Sequence, residues 1–215
     1  MSDDRRPAGA RALPAVPATS AAAGTSTTAA GAVRPWPKHA SRHGESMILF
    51  RPRWDVLTNP RNGARLERLV LETPDWVNVV ALTRARELVV VHQYRFGREA
   101  VMLEIPGGMI DRGEEHRAAA ERELAEETGH TSSRWTYLGA VEPNPAFQTN
   151  LCHHWLAEDC EPTRALALDG GEDIAIETLA LEDVRARIAR GEIRHSLVIT
   201  ALAHVLDLRT GAVPR

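Results

Sequence analysis

The chain has 215 residues, of which 43% are hydrophobic and 26% are charged, with a formal net charge of −3. This length and composition suit one globular domain that buries a core and carries a tail. The first 45 residues hold six basic and three acidic side chains, so the rest of the chain carries a formal net charge of −6. An acidic body is a poor partner for nucleic acid, whose binding depends on Lys and Arg contacts to phosphates. No apolar run is long enough to span a bilayer, so we expect neither a nucleic-acid nor a membrane partner.

Residues 1–33 consist mainly of Ala, Thr, Ser, Gly and Pro without apolar periodicity. Such a segment cannot offset its own ordering entropy, so we predict a disordered low-complexity tail, followed by one domain from 34 to 215.

The two cysteines, Cys152 and Cys160, are interpreted as free thiols of a reducing compartment, which predicts a cytoplasmic location. The run Cys152-His153-His154 could suggest zinc, but no second ligand pair follows at finger-like spacing. We prefer the interpretation that these side chains alternate along a strand.

Extended segments precede the middle of the chain, and Pro60-Arg61-Asn62-Gly63 is a turn signal between the first two. The continuous run of Val89, Val90 and Val91 indicates a strand that is covered on both faces. The predicted strands in this half are 47–53, 65–73, 77–83 and 87–94.

A helix is predicted over 115–128, with Gly129 as its C-cap. Strands at 135–142, 151–157 and 174–179 follow, then helices at 181–190 and 197–209, the last with Ser196 as N-cap. Strands on both sides of one helix, followed by terminal helices, predict an α/β fold in which a mixed sheet has helices on both faces.

Three glutamates mark the first helix. Glu123, Glu126 and Glu127 stand at i, i+3 and i+4, so their carboxylates share one face and repel each other unless a cation is bound. Carboxylate oxygens suit Mg²⁺, and neighbouring Arg122 could hold one carboxylate bidentately. A solvated acidic helix face is the alternative.

A wider pattern favours the metal site. Gly108, five residues, Glu114, seven residues and then Arg-Glu-Leu-x-Glu-Glu-x-Gly run unbroken to Gly129. This is the signature of the Nudix hydrolases, which the chain resembles over roughly 36–210. One position departs, because His130 stands where the family usually has an aliphatic residue that packs rather than catalyses. The resemblance implies the Nudix α/β/α sandwich with a mixed sheet, and metal-dependent cleavage of a phosphoanhydride.

By that resemblance, Glu123 and Glu127 are the principal metal ligands, and Glu126 and the carbonyl of Gly107 complete the set. The implied metal is Mg²⁺, with Mn²⁺ as a substitute. Glu126 and Arg122 are also assigned to the catalytic group, while Glu114 is expected to support the loop before the helix.

The flanking residues resemble one branch of the family. Gln93-Tyr94-Arg95, followed by Leu103-Glu104-Ile105-Pro106-Gly107-Gly108, is similar to the stretch found in ADP-ribose pyrophosphatases and related nucleoside-diphosphate-sugar hydrolases. Pro145 lies sixteen residues after Gly129, the spacing of the ADP-ribose branch. Residues 144–150 around it differ from the acidic, glycine-containing segment of that branch.

The resemblance therefore implies Mg²⁺-dependent hydrolysis of ADP-ribose or a related nucleoside diphosphate sugar. The alternatives are GDP-mannose or another nucleotide sugar, a non-catalytic Nudix regulator that only binds a ligand, and an isoprenoid-diphosphate isomerase. Arg95 is the candidate for gripping a phosphate or ribose, or else a surface arginine. Glu104 either binds substrate or orients the loop.

In this branch the general base comes from a mobile acidic loop before a late strand, here residues 169–173. Glu172 is the first choice for the base, with Asp169 and Asp173 as alternates, and two glycines would let the loop close over substrate. The branch also forms homodimers in which N-terminal strands, here 47–53 and 65–73, help to build the partner's site.

Overall fold

The computed structural model describes residues 34–208. They belong to two compact units, one ending at Leu71 and the other beginning at Glu72. The predicted tail at 1–33 lies outside the described residues. Among the described helices, none is long and apolar enough to cross a membrane.

The first unit is a three-stranded sheet in the order β1-β2-β3, formed by β1 (Lys38–His43), β2 (Arg51–Thr58) and β3 (Arg65–Glu72). The predicted turn joins β2 to β3: the backbone N–H of Asn59 donates to the carbonyl of Ala64 over 2.8 Å. Gly63 adopts a φ of 71° there, in the left-handed region that glycine tolerates best.

The strand predicted at 47–53 was placed too early, and β1 was missed. The N–H of Met47 donates to the carbonyl of Phe50 over 2.8 Å, which closes a turn, and Ile48 is fully exposed. The apolar run that suggested a strand is therefore the tip of a loop. β1 escaped notice because all six of its residues are exposed, so it has no apolar alternation.

An ionic cluster, rather than apolar packing, joins β1 to β2. The buried carboxylate of Asp55 accepts hydrogen bonds from Ser41 Oγ at 2.7 Å and from Arg53 Nε at 3.0 Å. Lys38 lies 3.4 Å away. Burial alone would raise the pKa of Asp55, but the bonds from Arg53 and Ser41 outweigh it and lower the pKa to about 2.

The second unit is built on a seven-stranded sheet. Its strands are β4 (Trp76–Thr83), β5 (Glu87–Arg95), β6 (Ala100–Glu104), β7 (His130–Thr131), β8 (Arg134–Val141), β9 (Cys152–Pro162) and β10 (Ile174–Ala180). The main order is β10-β5-β4-β9-β7, with β6 paired to β5 and β8 to β9. β4 runs parallel to β9 and the other recorded pairs are antiparallel, so the sheet is mixed, as predicted.

Helices cover both faces of this sheet and create two apolar cores. Helix α1 (His116–Thr128) packs in one core with Val79 and Val89, while α2 (Leu181–Ala189) and α3 (Ser196–Ala203) pack in the other with Val90. Val89 and Val90 thus belong to opposite faces, which confirms the strand that was predicted to be covered on both sides. The α/β class is confirmed.

Several boundaries differ from the prediction. Ser196 is the first residue of α3 rather than its N-cap, a position that His195 occupies with extended backbone. Helix α3 ends at Ala203, whereas the prediction continued it to residue 209. Residue 209 itself lies outside the described residues. Leu206 remains buried in the turn that follows, so apolar periodicity continued past the end of the helix. The short strands β6 and β7 were also missed.

Candidate active site

Helix α1 turns inward two of the three glutamates that share the predicted face. Ala119 and Ala120 are fully buried, and these small side chains let the helix lie close to the sheet. Glu123 and Glu127 are only 8% and 3% exposed, whereas the side chain of Glu126 is 40% exposed. A solvated acidic face is therefore the wrong description of Glu123 and Glu127.

The loop before the helix approaches these carboxylates so closely that it requires glycine. A Cβ on Gly107 would lie 2.2 Å from the carbonyl oxygen of Val77, and a Cβ on Gly108 would lie 2.4 Å from Glu123 Oε1. The N–H of Gly107 donates to Glu127 Oε2 over 3.0 Å. The carbonyls on either side of it, those of Pro106 and Gly108, accept bonds from the N–H groups of Val79 and Val77, which ties the loop to β4 as well.

Glu127 has an unfavourable environment for a negative charge. Burial, together with repulsion from Glu123 and Glu172, raises its pKa to about 8, and the bond from Gly107 only partly opposes this. Burial also raises the pKa of Glu123, against the attraction of Arg122. A bound cation would counter both effects, and Glu127 in particular needs one to ionise fully near neutral pH.

Arg122 supplies part of that positive charge and fixes the loop. Its Nε and Nη2 donate to the two oxygens of Glu114, each over 2.9 Å, and Nη1 donates to Glu123 over 2.8 Å and to Glu126 over 3.1 Å. Glu114 also accepts a bond from the N–H of Asp111, over 3.0 Å. The predicted bidentate grip is confirmed, and it falls on Glu114, the residue expected to support the loop.

The donor set fits a hard divalent cation. Carboxylates and a backbone carbonyl are the oxygens that Mg²⁺ binds, and a cation would stabilise the ionised form of Glu127. Within residues 34–208, however, the side chains do not stand in a ready-made metal cluster, since Arg122 engages Glu123 and Glu126. The ligand roles of Gly107, Glu123, Glu126 and Glu127 therefore stay predictions.

The two predicted substrate-binding residues pair with each other. Arg95 Nε and Nη2 donate to the two oxygens of Glu104 over 3.0 and 2.9 Å, and Glu104 is 3% exposed. Burial would lower the pKa of Arg95, but the charges of Glu104, Glu127 and Glu172 raise it instead. Arg95 thus lies within electrostatic reach of both the helix carboxylates and the predicted base.

The acidic loop before β10 forms a closed turn. The N–H of Glu172 donates to the carbonyl of Asp169 over 2.9 Å, and Glu172 Oε2 accepts from the N–H of Asp169 over 3.0 Å. The charge of Glu172 raises the pKa of both Glu123 and Glu127. The structure therefore brings the loop near the helix carboxylates, as a base would require.

Sequence reasoning missed an aromatic cluster at the start of α1. The rings of His116 and His153 stack 4.4 Å apart at an angle of 2°, and Trp155 Nε1 donates to His116 Nδ1 over 3.1 Å. The hydroxyl of Tyr137 is 2.9 Å from His153 Nδ1. Contacts between four separated positions leave no local signal, although His153 had drawn attention within its Cys-His-His run.

That run alternates along β9, as predicted. Cys152 and His154 are both buried, and His154 contacts the ring of His204, whereas His153 lies in the aromatic cluster. Burial, with the nearby histidines, lowers the pKa of His154 to about 4, and Cys152 is a free thiol.

His195 was also missed. Its Nδ1 lies 3.8 Å from Glu104 Oε2, so the residue before α3 joins the Arg95–Glu104 pair. A lone histidine in a loop gives no pattern that could have pointed to this position.

Comparisons with known proteins agree with this geometry. The NUDIX domain model matches residues 72–201. The ADP-ribose pyrophosphatase of Bacillus subtilis is 30% identical to this chain over 67% of this chain and 78% of its own length. The ADP-ribose pyrophosphatase of Mycobacterium tuberculosis is 31% identical over 78% of this chain and 82% of its own length. A crystal structure of an ADP compounds hydrolase shares the fold, with a TM-score of 0.72 and 22% identity over 82% of this chain and 95% of its own. The chain belongs to the Nudix hydrolase family.

Proposed function

We propose that this Nudix hydrolase cleaves the diphosphate bond of ADP-ribose or a related nucleoside diphosphate sugar and releases a nucleoside monophosphate and a sugar phosphate. The observation that carries the proposal is the convergence of three features on one site: the buried pair Glu123 and Glu127, the cationic Arg95, and the acidic loop with Glu172. Relatives named ADP-ribose pyrophosphatase support this substrate class.

We propose Mg²⁺ as the metal, with Mn²⁺ as a substitute, held by Glu123, Glu126, Glu127 and the carbonyl of Gly107. A divalent cation in this position would neutralise the diphosphate and make a water molecule a stronger nucleophile. Repulsion between Glu123 and Glu127 supports the assignment, because the attraction of both carboxylates to a bound cation would outweigh it.

The remaining steps fall to side chains of this chain. Arg95 binds a substrate phosphate or ribose, with its guanidinium oriented by the bidentate bonds to Glu104. Glu172 accepts a proton from the attacking water, which its place on a loop with two glycines allows it to approach. Arg122 orients Glu123 and Glu126 and ties the loop to the helix through Glu114.

A phosphate-release assay tests the proposal. Purified enzyme with Mg²⁺ and a coupling phosphatase is offered ADP-ribose, GDP-mannose and other nucleotide sugars, alongside Glu127→Gln as the inactive control. GDP-mannose is the alternative substrate, because residues 144–150 depart from the pattern of the ADP-ribose branch. Release of products from none of these compounds, by an enzyme that is folded and loaded with metal, would contradict the proposal and favour a ligand-binding regulator.

We further propose that the chain is a homodimer and that residues 34–215 act as one Nudix domain after the tail 1–33. The homodimer rests on resemblance to its branch, in which N-terminal strands serve the partner, and β1–β3 are the candidates here. A light-scattering mass equal to the 23.6 kDa monomer at micromolar concentration would contradict it. A cytoplasmic location is also proposed, resting on the two free thiols.

A further inference from the structure

A cationic cavity adjoins the Arg95–Glu104 pair. It has a volume of about 480 Å³, within the range of small-molecule sites, and lies in the unit that contains the carboxylates. Its lining includes Arg95, Arg98, Met102, Arg194, His195 and Ser196. Among the described residues that line it, three are arginines and none is acidic, in a chain whose net charge is −3.

Two of these arginines differ from Arg95 in their surroundings. Arg95 is bound to Glu104 through two hydrogen bonds. The side chains of Arg98 and Arg194 are exposed and, within residues 34–208, form neither an ion pair nor a hydrogen bond. Like charges that face one cavity without partners raise its positive potential, which an anionic ligand would relieve.

We propose that this cavity binds a third phosphate, a monoester that the substrate carries in addition to its diphosphate, and that Arg98 and Arg194 recognise it. This rests on the proposed function, and it narrows the substrate class to nucleoside diphosphate derivatives with a phosphorylated ribose or sugar. A phosphate monoester carries close to two negative charges at neutral pH and several acceptor oxygens. Guanidinium groups match those oxygens bidentately.

Arg95 connects the cavity with the reacting centre. It forms part of the cavity wall, and its charge interacts with Glu127 and Glu172, where the diphosphate is proposed to react. A substrate whose diphosphate lies against Arg95 can therefore extend its next group into the cavity. An uncharged sugar there would leave the charges of Arg98 and Arg194 unmatched, whereas a phosphate would give them an anionic partner.

The test uses three compounds that differ only in the monoester: ADP-ribose, ADP-ribose 2′-phosphate on the nucleoside side, and ADP-ribose 1″-phosphate on the distal sugar. Dissociation constants are measured calorimetrically in EDTA, so that binding does not depend on turnover, and kcat/KM is measured with Mg²⁺. The variants are Arg98→Gln, Arg194→Gln and the double variant. Arg164→Gln is the matched control, an exposed arginine outside the cavity.

We expect at least one phosphorylated compound to bind about tenfold or more tightly than ADP-ribose, because a charge-assisted hydrogen bond contributes about a factor of ten. Each single variant should reduce this preference, and the double variant should abolish it without changing the affinity for ADP-ribose. Arg164→Gln should keep the preference. The compound that is preferred identifies which end of the substrate enters the cavity.

Two results would overturn the inference: no preference for either phosphorylated compound in the unmodified enzyme, or a preference that survives in the double variant. Hydrolysis of ADP-ribose without any such preference would leave the proposed function standing and reject the inference alone. Tight binding that depends on Arg98 and Arg194, without hydrolysis of any of the three compounds or of GDP-mannose and the other nucleotide sugars, would keep the inference and reject the proposed function.

Discussion

Glu127→Gln should stabilise the metal-free enzyme while it removes activity. Glu127 is 3% exposed and its pKa is raised to about 8 from an ordinary value of 4.5. Its folded form therefore binds more protons than the unfolded chain between these two values, and stability falls as pH rises through that window. Glutamine keeps the size of the side chain and an oxygen that can accept the bond from Gly107, but it carries no charge.

The size of the effect follows from the same values. Between pH 4.5 and pH 7 Glu127 ionises in the unfolded chain but stays largely protonated in the folded enzyme, which at about 1.4 kcal/mol per pH unit removes about 3 kcal/mol of stability. For a domain of this size, about 3 kcal/mol corresponds to roughly 6–12 °C in melting temperature. Thermal unfolding in EDTA should therefore show the unmodified enzyme losing stability from pH 5 to pH 7, and Glu127→Gln losing far less.

Mg²⁺ should reverse this order. The ion binds the folded state of the unmodified enzyme and raises its melting temperature progressively as the Mg²⁺ concentration exceeds the Kd, while the variant gains little. The matched control is Glu121→Gln on the same helix, an exposed residue paired with Arg117, which should shift stability by no more than about 0.5 kcal/mol. The reasoning is refuted if Glu127→Gln is less stable than the unmodified enzyme in EDTA at pH 7, or if the two share one pH dependence.

Three further outcomes are expected. Glu172→Gln should lower kcat by about 10²–10⁴ with little change in Mg²⁺ affinity. If Glu172→Gln keeps its activity and Asp173→Asn shows this loss of kcat instead, the general base is Asp173. Gly107→Ala should unfold at a lower temperature and lose activity, because its Cβ would lie 2.2 Å from the carbonyl of Val77; a variant of normal melting temperature would contradict the close approach. Asp55, with its pKa lowered to about 2 from 3.8, contributes stability that is present above about pH 4 and lost as pH falls toward 2, so acid unfolding followed by circular dichroism should lack this step in Asp55→Asn.

Structure was predicted most accurately from the sequence where a residue pattern is compatible with a single backbone conformation. Helix α1 begins within one residue of the predicted start and ends at the predicted residue, where Gly129 caps it with a φ of 69° and a bond to the carbonyl of Ala125. The N-terminal sheet was predicted worst, since the Asp55 cluster uses charge where apolar alternation would have been recognised. Apolar periodicity also cannot separate a loop tip such as Ile48 from a strand, because only burial distinguishes them.

Pairing within the site depends on strand register, which the sequence does not encode locally. Arg95 and Glu104 were predicted as two independent substrate ligands. They meet because β5 and β6 form a hairpin in which Val91 is opposite Glu104 and Arg95 is opposite Ala100. Since β6 was not predicted as a strand, neither this register nor the resulting ion pair could be expected.

The Arg95–Glu104 pair bears on the role of Glu104, for which substrate binding and orientation of the loop were both considered. Both of its carboxylate oxygens accept bonds from Arg95, and it is 3% exposed, so it has little capacity left for a substrate. Arg95 keeps 42% of its side chain exposed and faces the cationic cavity. We therefore propose that Glu104 is a positioning residue that holds the guanidinium of Arg95 in one orientation, and that Arg95 makes the contact with the substrate. Glu104→Gln should then weaken substrate binding through a misplaced Arg95. The double variant Glu104→Gln/Arg95→Gln should lose little more affinity than Arg95→Gln alone, because both replacements remove the same contact. Independent, additive losses in KM for the two single variants would instead assign Glu104 a substrate contact of its own.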